Sequence, residues 1–219
     1  MSIGTSIPRK EAWNKVTGRA KYNNDFHELG ILHVKMCTST IAHGYIKSLD
    51  ISEALSSPGI RRVLTGRDFP VLCGTTLYDR TPIAQDKVRY FGEPVAVVIG
   101  ESERQAMEAV RKIKVEYQPL PVLNSPSAAM KNDAPLIHEN LGQYATNKEV
   151  LPVPGTNIAN HVKIRKGDME KGWRESSTVV ELSFSHPQTD HVAMETRNAR
   201  AEILPDGRII IHTSSQAPF

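Results

Sequence analysis

Histidines and carboxylates gather at one place in this chain: His186, Asp190 and His191 fall close together, and Glu195 follows. Two imidazoles and two carboxylates are a donor set for a divalent metal. However, His191 and Glu195 face the same way only on a helix, and Pro187 with its strand-like flanks argues against one. The tight paired spacings of zinc sites are also missing, so the cluster reads as a hydrogen-bonded loop. His138-Glu139 lacks the second histidine that a zinc hydrolase helix needs. His27, His33 and His43 stand alone. Glu93, between Gly92 and Pro94, has two readings: a general acid with a shifted pKa, or a turn carboxylate bonded to backbone. The second is preferred. Cys37 lies in an apolar run and reads as a small buried hydrophobe. With Cys73 it gives neither metal spacing nor a disulfide framework. The turn Ile99-Gly100-Glu101-Ser102 holds a single glycine, too few for a phosphate cradle. No nucleophile elbow or Walker loop occurs in the sequence. Residue chemistry alone therefore offers no self-contained active site.

The elements that would position these groups are legible in part. Residues 31–37 and 60–65 read as strands, with a short helix over 51–55 between them. Residues 95–99 (Val95-Ala96-Val97-Val98-Ile99) form a continuous apolar run, expected as a strand buried on both faces. Ser102 and Gln105 make a capping box for the clearest helix, with Ala106, Met107, Val110, Ile113 and Tyr117 predicted on its inward face. Residues 115–117 leave as a strand, because Pro119 and Pro121 cannot continue a helix. Over 124–160 the hydrophobic period is lost among Pro, Asn, Ser and Gly, which predicts a linker or strap. Asp168 can cap a short helix over 169–174, and residues 178–184 read as a strand. Residues 201–204 and 208–213 pair as a hairpin around Pro205-Asp206-Gly207. This order predicts an α+β fold with helices packed on a mixed sheet. A finished domain rarely ends where a core strand exits, so the sequence predicts either a piece of a longer protein or a chain completed by a partner.

Composition narrows the classes. At 219 residues the chain is long enough for one large or two smaller domains. Its 39% hydrophobic and 23% charged content is that of an ordinary globular protein. The longest apolar run is far short of the roughly 20 residues that cross a bilayer. No secretory signal is read at the start, so a cytoplasmic site is expected. The net charge of +3 is dispersed and aromatics are 6%, which disfavours a nucleic-acid groove.

Taken in order, the segments resemble one family. Residues 15–25, from Lys15-Val16-Thr17-Gly18 to Asn23-Asn24-Asp25, look like the opening of the molybdenum-binding subunit of xanthine dehydrogenases and aldehyde oxidases. Ser39-Thr40-Ile41-Ala42-His43-Gly44, Pro58-Gly59-Ile60-Arg61-Arg62-Val63-Leu64-Thr65-Gly66, and residues 88–98 and 115–122 follow in the expected order. Together these resemble the family's α/β hammerhead domain. Lys166-Gly167-Asp168-Met169, His191-Val192-Ala193-Met194-Glu195-Thr196 and Thr213-Ser214-Ser215-Gln216-Ala217-Pro218-Phe219 resemble the start of its molybdopterin-binding domain.

The resemblance implies an extended segment over 1–16, a hammerhead over 17–123, a strap over 124–160 and an incomplete molybdopterin-binding domain over 161–219. It implies an oxidoreductase, xanthine dehydrogenase-like, that hydroxylates a purine, another heterocycle or an aldehyde with oxygen from water. Electrons would leave through iron–sulfur clusters to FAD or another acceptor on other domains or subunits. Gln216 matches the glutamine that approaches molybdenum and bonds an oxo ligand. A neutral amide N–H suits that role because it adds no titrating group. The family's glycine-rich loop, substrate clamps and general-base glutamate have no counterpart here. The isolated chain is therefore expected to hold no molybdenum–molybdopterin cofactor and to be inactive without the remainder of the subunit. The rival reading is a non-catalytic hammerhead scaffold that assembles with partner subunits; neither nucleic acid nor membrane is expected as a partner.

Overall fold

The computed structural model describes residues 3–215. In chain order they form α1 (Ala12–Val16), a 3-10 turn (Asn23–Asp25), β1 (His33–Thr38), β2 (Gly44–Asp50), α2 (Ser52–Leu55), β3 (Ile60–Thr65) and β4 (Lys87–Val88). Then come β5 (Pro94–Gly100), α3 (Glu103–Val110), β6 (Lys114–Pro119), α4 (Pro126–Ala129), α5 (Met169–Glu175), β7 (Ala199–Ile203) and β8 (Ile209–Thr213). The chain divides into a larger unit, Gly30–Met169, and a smaller one that joins Met1–Leu29 to Glu170–Phe219. Gln216, expected at the cofactor, lies outside the described residues.

The apolar run around Val95 becomes β5, the middle strand of a three-stranded sheet ordered β1-β5-β3. Val95, Ala96 and Val98 have no exposed surface. Both edges of β5 are paired, with Val34 opposite Ile99 on one side and Val63 opposite Val98 on the other. That satisfies its main-chain donors and acceptors without water, which a strand at this depth requires. A second sheet, ordered β4-β2-β6, is centred on β2. The two helical connections, β2–α2–β3 and β5–α3–β6, each carry the chain from one sheet to the other. The α+β class is as expected. The expected mixed sheet is corrected, since every named strand pairing is antiparallel. The physical reason is that the crossovers change sheets and do not return as parallel neighbours.

Strand β2 has no legible pattern in the sequence. A register shift between Ile46 and Ser48 interrupts its pairing with β6, and its buried positions do not alternate. A period-2 search fails on such a bulged strand. The inward face of α3 also needs correction. Ala106 and Ala109 are buried and Val110 packs on the core, whereas Met107 is 43% exposed. The stripe follows the small residues because α3 lies close on β5: a Cβ added at Gly100 would stand 3.3 Å from the Ala106 Cβ. The Ser102 hydroxyl accepts the Gln105 N–H at 3.3 Å, as a cap should. It also donates to Gln105 Oε1 at 2.6 Å, so the glutamine side chain is spent on the hydroxyl.

In the smaller unit no described residue is buried. Its regular elements are α1, the 3-10 turn, the antiparallel hairpin β7–β8 and the greater part of α5. A short helix at Ala12–Val16 stands where an extended segment was expected. Residues 178–184, predicted as a strand, have no ladder partner and form no strand. Leu182 and Phe184 are 69% and 87% exposed there. A β-branched run becomes a strand only when another strand takes its hydrogen bonds, and none of the described strands does. The hairpin turn is as predicted in place. Gly207 takes a φ of 84°, and its N–H closes on the Leu204 carbonyl at 2.9 Å.

Val98→Ala should expose how far the larger unit depends on β5. Removing its buried methyl groups is expected to lower unfolding stability by roughly 2 kcal/mol, counting transfer and residual cavity. Urea unfolding should show a lower midpoint at unchanged slope.

Candidate functional site

Two clusters of polar side chains are built into the chain, one in each unit. In the larger unit the strap lies along the edge of the second sheet, where the Lys87 side chain is only 4% exposed. A buried ammonium needs acceptors for its three protons. Lys87 Nζ has the carbonyls of Leu136 at 3.1 Å and Ile137 at 3.3 Å, and Glu139 Oε1 at 2.5 Å. Arg89 adds a bond from Nε to the Ile137 carbonyl at 3.1 Å. Two cations thus fasten the strap through its backbone. Burial alone would raise the pKa of the Glu139 carboxyl, but its bond to Lys87 and the charges of Lys87 and Arg89 hold it low.

His138 sits beside this clamp. Its Nε2 faces Asp79 Oδ2 at 3.6 Å, and its ring meets Tyr144 edge-on at 5.8 Å. Nδ1 is buried without a hydrogen-bond partner. Burial, reinforced by Arg89, holds the imidazole pKa below its ordinary value, so it stays neutral. Asp79 and His138 border a cleft of about 530 Å³ whose apolar wall includes Leu123, Ile137 and Leu141. Asn157 in its rim is already committed: it accepts the Ile137 N–H and donates to the Ala129 and Pro135 carbonyls. This cluster is chemistry spent on holding the strap.

The single-residue candidates resolve individually. Glu93 is buried and accepts the Arg89 N–H at 2.6 Å, the turn-carboxylate role preferred from sequence. Burial nonetheless pushes its pKa up. Cys37 is buried and its thiol is likewise pushed up, which makes it unreactive. Cys73 is exposed and unpaired. A ring nitrogen of His186 lies 2.8 Å from the Pro187 carbonyl, within its own loop. Glu195 turns to the N-terminal segment, where its Oε1 accepts the Asn23 N–H at 3.0 Å. Among the described residues, no three His, Cys, Asp or Glu side chains converge as a metal site would need.

The second cluster surrounds the exit of β8. Asn23 Nδ2 donates to Asn198 Oδ1 at 2.5 Å and to the His212 carbonyl at 3.1 Å. Asn198 Nδ2 donates to the Thr196 carbonyl at 3.0 Å, and Thr213 Oγ1 to the Asn198 carbonyl at 3.2 Å. Arg200 pairs with Glu28, and its guanidinium lies 4.7 Å over the Phe26 ring. An open cleft of about 420 Å³ adjoins the strand end, with Asn23, Phe26, Glu195, His212 and Ser215 among its walls. Sequence reasoning does not single out Asn23 or Asn198. Isolated asparagines carry no periodic signal, and their partners lie more than 170 residues apart. The amides and hydroxyls of this edge are spent on one another and on the backbone, which fixes the place where β8 ends.

Comparison with known proteins matches both parts of the chain. Residues 17–121 match the family model for the aldehyde oxidase and xanthine dehydrogenase a/b hammerhead domain. Residues 151–219 match the molybdopterin cofactor-binding domain. A probable xanthine dehydrogenase component from Bacillus subtilis is 31% identical over 95% of this chain and 26% of that protein. The aldehyde oxidoreductase of Megalodesulfovibrio gigas is 32% identical over 97% of this chain and 24% of that protein. The structure of quinoline 2-oxidoreductase from Pseudomonas putida 86 superposes with a TM-score of 0.77 at 29% identity, covering 99% of this chain and 27% of that one. The chain spans about a quarter of the length of these relatives. No helix among the described residues is long and apolar enough to cross a membrane.

The neutral His138 carries a pH dependence with a definite sign. Its folded pKa lies below the ordinary 6.5, so on acidification the unfolded chain takes up a proton that the folded one refuses. The stability it allows is full above pH 6.5 and falls as the pH drops through 6.5 toward the folded value. Compared with His138→Gln, the parent should lose urea resistance between pH 7.5 and 5.5. Asp79, Arg89, Glu139 and Lys87 set the charge around it in both measurements.

Proposed function

The chain belongs to the aldehyde oxidase and xanthine dehydrogenase family, and from that we propose that it is the N-terminal part of the molybdenum-binding component of a molybdenum hydroxylase. Its organisation is an N-terminal segment over 1–16, a hammerhead over 17–123, a strap over 124–160 and the start of the cofactor-binding domain over 161–219. The substrate is a small heterocycle, such as a purine, or an aldehyde, whose C–H becomes C–OH. Water supplies the oxygen, and an electron pair and protons leave. When bound, the molybdenum–molybdopterin cofactor supplies the redox chemistry, and iron–sulfur clusters and FAD on other domains or subunits accept the electrons. Two unpaired cysteines fit a reducing, cytoplasmic setting.

One observation carries the reading: the hydrogen-bonded exit of β8 ends in Ser214-Ser215, and Gln216 follows within the stretch that matches the cofactor-binding domain. The Gln216 amide is assigned to donate to an oxygen of the cofactor. Negative charge gathers there during the reaction, and a fixed neutral donor stabilises it. This chain contributes that donor and its support. The general base and substrate clamps belong to the rest of the subunit, which also covers the apolar side chains of residues 178–184. The absence of any buried residue among those described in the smaller unit supports this need for completion.

Two measurements test it. The purified chain should contain no stoichiometric molybdenum by metal analysis, and should acquire it with the completing polypeptide. A complex that assembles stoichiometrically yet never carries molybdenum would instead make the chain a scaffold. In the loaded complex, Gln216→Ala should lower kcat by roughly 10²–10³-fold while molybdenum content stays unchanged.

A further inference from the structure

Where β7 and β8 begin to part, the ladder changes its acceptor. Ala199 opposes Thr213 as the last regular pair. One residue further, the Ser214 N–H donates to the Asn198 carbonyl at 3.3 Å, as an antiparallel ladder requires. The returning bond is different: the Asn198 N–H goes to the Ser214 hydroxyl at 3.0 Å. The hydroxyl in turn donates to the Thr196 carbonyl at 3.1 Å. A side-chain oxygen thus stands in for a main-chain carbonyl at the point where β8 ends.

Asn198 is held on every side while this happens. Its N–H and carbonyl are taken by Ser214, with Thr213 Oγ1 adding to the carbonyl. Its side-chain oxygen accepts from Asn23, and its side-chain nitrogen donates to Thr196. All four of its hydrogen-bonding groups are therefore used. Asn23 is anchored in turn by its own N–H on Glu195 and its second side-chain bond on the His212 carbonyl. Because the Asn198 N–H on the β7 side is met by the Ser214 hydroxyl, β8 need not present the Ser214 carbonyl to the ladder, and the ladder can end at that residue.

We propose that Ser214, Asn198 and Asn23 form a positioning device that ends β8 at a set residue and aims the backbone carrying Gln216. The device rests on the reading of Gln216 as the residue facing the cofactor. Ser214 supplies the substitute acceptor, Asn198 holds it, and Asn23 ties both to the N-terminal segment. None of the three touches the reacting atoms. Their effect reaches the chemistry through the placement of one amide, and a displacement of about 1 Å at such a group can cost on the order of 100-fold in rate.

The test uses the molybdenum-loaded complex carrying Ser214→Ala, Ser214→Thr, Asn23→Ala or Gln216→Ala, with amide exchange measured on the same proteins. Ser214→Ala and Asn23→Ala should lower kcat by roughly 100-fold with KM within about threefold. Molybdenum content should stay at parent level, while the Mo(V) electron paramagnetic resonance signature shifts. Ser214→Thr, which keeps the hydroxyl, should restore parent values. Exchange at the Asn198 amide should quicken in Ser214→Ala, while the amides of Glu202 and Ile210, a hydrogen-bonded pair of the ladder, keep their rates and show the hairpin intact. Parent kcat and parent spectrum in Ser214→Ala, with Gln216→Ala impaired, would overturn the positioning device alone. Quickened exchange at Asn198 with Gln216→Ala silent would keep the device and remove the cofactor-facing reading on which its purpose rests.

Discussion

Strand β5 is paired along both edges and buried on the face of Ala96 and Val98, with Val97 and Ile99 half-buried on the other, and the larger unit is arranged around that fact. A strand between two others must find its main-chain partners within the protein. β1 and β3 supply them, and Gly100 then lets α3 come close enough for Ala106 and Ala109 to cover the strand. With α3 fixed, the chain can only return through β6 into the second sheet, beside β2. The edge of that sheet in turn presents Lys87 to the strap. The buried ammonium takes strap carbonyls because nothing less would offset its lost hydration.

The same demand for hydrogen-bond partners explains the smaller unit by its opposite outcome. Its hairpin has two strands and no described third, and residues 178–184 join no sheet and keep their apolar side chains exposed. At the end of β8 the demand is met in part by side chains: a serine hydroxyl takes one of the two main-chain bonds of the next rung, and two asparagine amides brace it. That replacement is what gives the strand exit a defined end. It also joins the N-terminal turn at Asn23 to residues late in the chain, so the smaller unit is built from both of its sequence segments.

Elements whose signals are local were readable in advance. The apolar run of β5, the Ser102 cap of α3 and the Asp-Gly turn each depend on neighbours within a few residues. The preferred role of Glu93 was readable for the same reason, since its partner is the N–H of Arg89. Elements whose signals are distant were not. The bulge in β2 hides its alternation, and Met107 was expected inward because spacing alone cannot tell which stripe of a helix meets a closely packed strand. Residues 178–184 have strand composition, but composition does not supply a partner.

By itself the sequence determined the family, through ordered segments along nearly the whole chain. With it came the α+β class and the strands and helix whose hydrogen bonds or caps are local. Only the tertiary structure decided that the crossovers change sheets, that Lys87 is buried under the strap, and that His138 is kept neutral. It alone brought Asn23 beside Asn198 and put the Ser214 hydroxyl in the place of a carbonyl. The reason is physical. Propensity and pattern act over a few residues, whereas burial, pKa and the choice of hydrogen-bond acceptor depend on groups that only the folded chain brings within about 3 Å of each other.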